Sequence, residues 1–259
     1  MNDNYNLTLN QIVYILQNNY NIKCCRIIVY NRLKCLNFES KKPTIKPLLT
    51  EKHLNDREYW AIYYQNYNWN KIIWSDETTI SIQPNNYSKI WIHKDDIVIK
   101  RAVKYPLKLH VWGCILKNNK LIVQIYDKTM NGNKYIEILN NNVLPIMKKY
   151  YEKNNDKLIF QQDNAPCHTC KLCVKYFSEN NIEVMFWPAN SPDLNPIENI
   201  WNIMKKKIGR VYIKNKQELC DIIIKTADEL EISTINKLIN SMDNRVEALF
   251  DNSFDSINY

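Results

Sequence analysis

Three acidic residues, Asp76, Asp163 and Glu198, each sit in or just after a run with strand character. Asp76 lies in "KIIWSDETTISI" (71–82), Asp163 ends "KLIFQQD" (157–163), and Glu198 follows "IEVMFWP" (182–188) across a short polar loop. In an open α/β sheet, strand ends are where loops and helix starts converge, so residues distant in sequence can meet there. Acids brought together raise one another's pKa unless a cation stands among them. A hard divalent ion with oxygen ligands meets that need, and Mg2+ is commonly held by one or two carboxylates together with phosphate oxygens. The chemistry on offer is metal-assisted attack at a phosphodiester. Each acid also has a plainer use: Asp76 beside Glu77 could solvate a strand end, Asp163 before Asn164 could start a turn, and Glu77 or Asp193 could compete as ligands.

Glu198 has a second reading of its own. In "SPDLNPIENIW" (191–201) Asn195 can serve as an N-cap and Pro196 suits the first helical position, where its missing N–H costs nothing. Glu198 then falls where a capping box places its carboxylate. The prolines at 188, 192 and 196 stiffen the loop, and Asp193 reads as its organiser. The segment "CHTCKLC" (167–173) offers a C-x2-C half-site, but a structural zinc needs four ligands and Cys220 stands alone further on. The spacing of Cys167, Cys170 and Cys173 instead suits one face of a core helix over 168–177, and no zinc is expected.

The elements that must position these residues follow a mixed order. After the first strand come "LHVWGCIL" (109–116) and "LIVQIY" (121–126), joined by the hairpin signal "KNNK". Residues 133–151 read as a helix interrupted near Pro145, and a capped helix starts at Pro196. That order implies one mixed sheet with helices on its faces. Upstream, residues 7–38 read as two short helices around a polar turn, with Thr8 as N-cap and Ile12, Ile15 and Leu16 on one face. Ile27, Ile28, Tyr30, Leu33 and Leu36 outline the second helix, beside Arg26, Arg32 and Lys34. A short helix, a turn and a basic helix suit a helix-turn-helix in a major groove; a plain helical hairpin is the alternative. "KKPTIKP" (41–47) is basic, proline-broken and expected to be extended, and a helix after Thr50 is expected to carry Trp60, Tyr63, Tyr64 and Tyr67 as a packing stripe.

Composition agrees with this layout. Of 259 residues, 45% are hydrophobic and 12% aromatic, ample for a packed core, and the net charge is +8. Most of the excess lies between Tyr20 and Pro47, where Lys23, Arg26, Arg32, Lys34, Lys41, Lys42 and Lys46 oppose only Glu39. Such clustering is the footprint of a polyanion partner, most often nucleic acid. Asn, Ile and Lys are frequent enough to suggest an A·T-rich coding bias, so single Asn and Lys residues carry little weight. With no signal-like N-terminus and no apolar run near the ~20 residues of a membrane span, a soluble intracellular protein without membrane association is expected, its eight cysteines reduced.

The exact wording around the acids narrows the reading. "WSDET" (74–78), "VWGC" (111–114), "QQDNAPCH" (161–168) and "WPANSPDLNPIENIW" (187–201) resemble, in order, the signature blocks of mariner-type transposases of the Tc/mariner superfamily. Asp163 and Glu198 are separated by 34 residues, the spacing of the Tc-like branch, and "SMDNR" (241–245) and a terminal "INY" extend the similarity. The resemblance implies a ribonuclease H-like α/β fold, with Asp76, Asp163 and Glu198 as a DDE triad holding two Mg2+ or Mn2+ ions. It implies cleavage of double-stranded DNA at transposon ends and strand transfer into target DNA at TA sites, by a homodimer, in the nucleus of a eukaryotic host. The expected layout is a partial helix-turn-helix segment at 1–38, a basic linker and helix at 39–70, and a catalytic domain at 71–259. DNA contacts are expected from Arg26, Arg32, Lys34, Lys41 and Lys42. Relatives of this kind carry two helix-turn-helix units; here the matching text begins inside the second, so the first is expected to be missing. Two other readings remain: a decayed or domesticated copy that binds DNA without catalysis, and a ribonuclease H-like nuclease for RNA–DNA hybrids, which leaves the basic helix pair unexplained.

Overall fold

A computed structural model describes residues 7–40, 48–81, 107–127, 129–211 and 213–259. Lys41, Lys42 and the rest of the 41–47 segment lie outside the described residues. The elements in order are α1 (Leu9–Tyr20), α2 (Arg26–Cys35), α3 (Glu51–Tyr64), β1 (Ile72–Ser81), β2 (Lys108–Ile115), β3 (Ile122–Tyr126), α4 (Gly132–Asn142), α5 (Leu144–Asn154), β4 (Ile159–Gln161), α6 (Pro166–Thr169), α7 (Lys171–Glu179), β5 (Glu183–Val184), α8 (Pro196–Ile208), α9 (Lys216–Asp228), α10 (Ile232–Asn240) and α11 (Met242–Asp251). Two compact units divide the chain, residues 1–46 and 47–259.

The first unit is a helical pair. Thr8 caps α1 in a capping box with Gln11, and Ile12, Ile15 and Leu16 lie on its half-buried face. In α2 the face differs from the sequence expectation: Val29 is buried and Leu33 half-buried, while Ile27, Ile28, Tyr30 and Leu36 are exposed. A ten-residue helix packed on one neighbour can cover only one i, i+4 stripe. Arg26, Arg32 and Lys34 are exposed on this helix.

The second unit is built on a five-stranded mixed sheet of order β3-β2-β1-β4-β5. β1–β2 and β2–β3 are antiparallel, whereas β1–β4 and β4–β5 are parallel. Alternation along β1 feeds two cores: Ile72 and Trp74 face one with α3 and α8, and Ile73 faces the other with Tyr135 of α4 and Tyr176 of α7. In the aromatic stripe Trp60 and Tyr64 pack as expected, but Tyr63 is exposed. Two strands are shorter than the sequence suggests, β4 stopping at Gln161 and β5 spanning two residues. Glycine numbers only three, and among the described residues none has positive φ. Asn21, Asn37, Asn118, Asn155, Asn181 and Asn190 take the left-handed conformation instead. Asn118 does so in the β2–β3 hairpin, so these asparagines carry structural weight that composition alone hides.

Gly113 of β2 is required for a different reason. A Cβ there would lie 2.5 Å from Cη2 of Trp201 and 3.0 Å from the Ile122 carbonyl oxygen, and Trp201 is fully buried. Gly113→Ala is expected to destabilise the unit by about 1–3 kcal/mol through overpacking, read as a lower denaturation midpoint at unchanged m-value.

Candidate active site

Trp74 and Gln161 are the last paired residues of the parallel β1–β4 ladder; Asp76 lies two residues beyond Trp74, still paired with Gly113 of β2, and Asp163 lies two residues beyond Gln161. The register therefore places the two acids at the same sheet edge. Glu198 arrives there because the start of α8 is tied to that edge. The Asn195 side chain accepts from the Ile197 N–H at 3.3 Å and donates to the Ser75 carbonyl at 3.1 Å, one residue before Asp76. Gln161, fully buried, accepts from the Ser75 N–H at 3.1 Å, and its carbonyl accepts from the Ser75 hydroxyl at 2.8 Å. One buried polar network thus joins the end of β4, the middle of β1 and the cap of α8. The expected capping box is not formed: the Asn195 N–H donates to the Pro192 carbonyl instead, which leaves the Glu198 carboxylate free of that duty.

All three acids line a single cleft of about 390 Å3, together with Asn164, Trp187 and the 188–192 loop. Burial pushes the Asp76 carboxyl up to about 8, helped by the neighbouring Glu198 and Glu77 charges, even though Trp201 Nε1 donates to Asp76 Oδ2 at 2.9 Å. Burial also raises Glu198, against the opposing influence of Lys205 and of a hydrogen bond shared with Asp76. Asp163 behaves oppositely. Its burial raises its pKa, but the His168 hydrogen bond and the Ala165 N–H more than offset this, and the net shift is downward. Both bonds fall on Oδ1, at 2.7 Å from His168 Nδ1 and 2.9 Å from the Ala165 nitrogen.

His168 was read from sequence only as part of a shared block, and its position is what the structure adds. The buried ring is stacked on Tyr135 with centroids 4.1 Å apart, its Nδ1 on Asp163 and its Nε2 3.2 Å from Glu77 Oε1, too poorly aligned for a hydrogen bond. Burial lowers its pKa, but the two carboxylates prevail and lift it to about 10. Glu77, Asp163 and His168 form the one group among the described residues whose donor atoms are close enough to hold an ion. The two carboxylates that flank the ring favour its imidazolium form, and His168 holds Asp163 through Nδ1. Asp193 lies apart from the carboxylates: it takes both guanidinium nitrogens of buried Arg57 at 2.9 and 2.7 Å and the Ile257 N–H at 2.9 Å. The cysteines also depart from expectation. The chain leaves the helix at Cys170, where φ is −64° and ψ 153°, so α6 and α7 are separate and the three cysteines do not share one helix face.

A mixed sheet with helices on both faces and three carboxylates at one edge defines a ribonuclease H-like protein with an acidic cleft. The sequence model of the DDE superfamily endonuclease family matches residues 71–220. The Tc1 transposase of Caenorhabditis elegans is 27% identical over 234 residues, covering 86% of this chain and 84% of that protein. The Tc3 transposase of the same organism is 30% identical over 221 residues, covering 82% of this chain and 65% of that one. Among solved structures, the Mos1 mariner paired-end complex with Mn has a TM-score of 0.80 at 18% identity, covering 97% of this chain and 76% of that one. The chain belongs to the DDE superfamily endonucleases, in the Tc/mariner group of transposases.

Proposed function

We propose that this chain cleaves and joins DNA as a transposase, with Asp76, Asp163 and Glu198 as the ligands of divalent cations. The observation that carries this is electrostatic: three acids from three separate elements line one cleft, and burial raises the pKa of two of them when no cation balances them. That donor set, all carboxylate oxygens, fits Mg2+ or Mn2+. When bound, a pair of such ions activates an attacking oxygen and neutralises the leaving one. The chain's own part is to hold the acids in place: the Gln161–Asn195 network fixes Glu198 against β1, Trp201 orients Asp76, and His168 keeps Asp163 ionised. Trp187 and Pro188 wall the cleft with apolar surface against bulk water. The attacking oxygen would be water at a transposon end and a DNA 3′-hydroxyl at a TA target. Exposed Arg26, Arg32 and Lys34 on α2, with Lys41 and Lys42, would contact phosphates as part of a helix-turn-helix segment. A homodimer would hold two ends together, in keeping with the paired-end complex that Mos1 forms. Among the described residues no helix is long and apolar enough to cross a membrane.

The test is nicking of supercoiled plasmid. Mn2+-dependent nicking by the full chain is expected, abolished by EDTA and by Asp163→Ala. Equal background in folded, DNA-binding wild type and variant would favour a copy that binds without cutting. A second, smaller effect is expected at His168. Residues that orient a metal ligand typically contribute 10–100-fold to metal affinity or activity. His168→Asn should therefore weaken Mn2+ binding, measured by calorimetry, by roughly 10–100-fold, with circular dichroism unchanged.

A further inference from the structure

The break between α6 and α7 that separates the cysteines also creates a C-x2-C pair with a built-in asymmetry. Cys170 is the N-cap residue of α7, half-buried and in extended conformation, and Cys173 lies three residues on, fully buried. Both thiols donate to one acceptor, the Cys167 carbonyl, at 3.5 Å from Cys170 and 3.1 Å from Cys173, which brings the two sulfurs to the same oxygen. Gly132, first residue of α4, packs onto them: a Cβ there would meet Cys170 Sγ at 2.7 Å and Cys173 Sγ at 3.7 Å. The Gly132 carbonyl lies 3.8 Å from Cys173 Sγ as a second, longer acceptor.

We propose that Cys170 and Cys173 form a redox-active dithiol that exchanges with small disulfides and closes to an intramolecular disulfide. The geometry assigns the roles. Cys170 is the attacking group because it is the more accessible sulfur and sits at the start of α7, where backbone N–H groups favour a thiolate and its pKa is lowered. Cys173 is the resolving group, held as a thiol because burial pushes it up to about 12. In the first step the Cys170 thiolate attacks one sulfur of a small disulfide, forming a mixed disulfide and expelling one small thiolate. The Cys173 thiol then loses its proton to solvent and attacks the Cys170 sulfur, expelling the second small thiolate. The dithiol is oxidised by two electrons, and one small disulfide is reduced to two thiols. The pair lies two residues beyond His168, so the bond would form next to the element that orients Asp163.

The experiment equilibrates the full chain in mixtures of reduced and oxidised glutathione, followed by acid quench, alkylation and tryptic mapping. Cleavage after Lys171 separates Cys173 from the 158–171 peptide, which carries both Cys167 and Cys170; fragment ions of the linked pair between residues 167 and 170 assign the bond to Cys170. The linked pair is expected to rise with the oxidised fraction and to disappear on adding dithiothreitol. In Cys173→Ser the attacking step has no resolver, and glutathione should accumulate on Cys170. The proposal is overturned if both cysteines stay alkylated across the series while exposed Cys25 and Cys35 become glutathionylated. It is equally overturned if wild type carries glutathione on Cys170 with no linked pair. The wild-type map decides the matter whether or not the serine variant folds.

Discussion

Asp76→Asn is expected to lower metal-dependent nicking by a thousandfold or more while making the metal-free protein more stable. The loss follows from removing a ligand charge: a catalytic metal supplies several kcal/mol of transition-state stabilisation, and about 4 kcal/mol is on the order of a thousandfold. The gain follows from the same carboxylate. In the folded chain Asp76 titrates near about 8 rather than at its ordinary 3.8, because it is buried and faces Glu198 and Glu77. A raised folded pKa means that its contribution to stability is complete below about 3.8 and is lost as pH rises through about 8. At pH 8 the metal-free wild type thus carries a cost on the order of 5 kcal/mol that asparagine does not. The amide keeps an oxygen for Trp201 Nε1, so the fold has no reason to change. Thermal midpoints at pH 8 without metal should place Asp76→Asn above wild type, the gap closing toward pH 5. Added Mg2+ should raise the wild-type midpoint more at pH 8 than at pH 6, where protons compete for the site. A wild type insensitive to both pH and metal would remove Asp76 from the proposed ligand set.

Arg57→Ala is expected to cost about 3–5 kcal/mol, the usual range when one partner of a buried ion pair is lost. Arg57 is fully buried in α3 and spends every donor: Nε on the Phe254 carbonyl at 2.7 Å, Nη1 on Ser191 and Asp193, Nη2 on Asp193 and the Asp255 carbonyl. Arg245 holds the same loop from α11, donating to the Asp193 carbonyl and to Asn199 Oδ1, both at 2.7 Å. Two arginines and the C-terminal segment therefore clamp the loop that delivers Asn195 and Glu198. Asp193→Ala should be comparably damaging, since it leaves Arg57 charged and without its carboxylate, while the double variant Arg57→Ala, Asp193→Ala should lose less than the sum of the two. Urea denaturation of the two single variants and the double variant gives the coupling energy. Coupling near zero would mean that the pair contributes nothing specific and that the loop is held by its other bonds.

The order and type of most elements were legible in the sequence because they rest on local chemistry. Alternation marked β1 and β2, prolines and asparagines marked the start of α8, and Thr8 and Thr50 marked α1 and α3 as caps. The identity of the acids was legible too, because a chain of this kind carries recognisable wording around them. Less legible were features in which one residue does a job usually given to another: asparagine taking the left-handed turns of a glycine-poor chain, and Cys170 ending one helix while starting the next. Periodicity is a two-neighbour property and cannot see such a break.

What the sequence by itself determined was therefore composition, element order, the family and the three acids proposed to hold the metal. The tertiary structure decided their state. Only folding places Glu198 against Asp76 so that both pKa values rise, and only folding sets His168 between Asp163 and Glu77 so that Asp163 stays charged. It also decided why position 113 is glycine, since Trp201 reaches it from 88 residues away. Burial and charge proximity act through space, over distances that residue order does not encode, so the chemistry of the cleft becomes fixed only when the sheet edge, α6 and α8 have met.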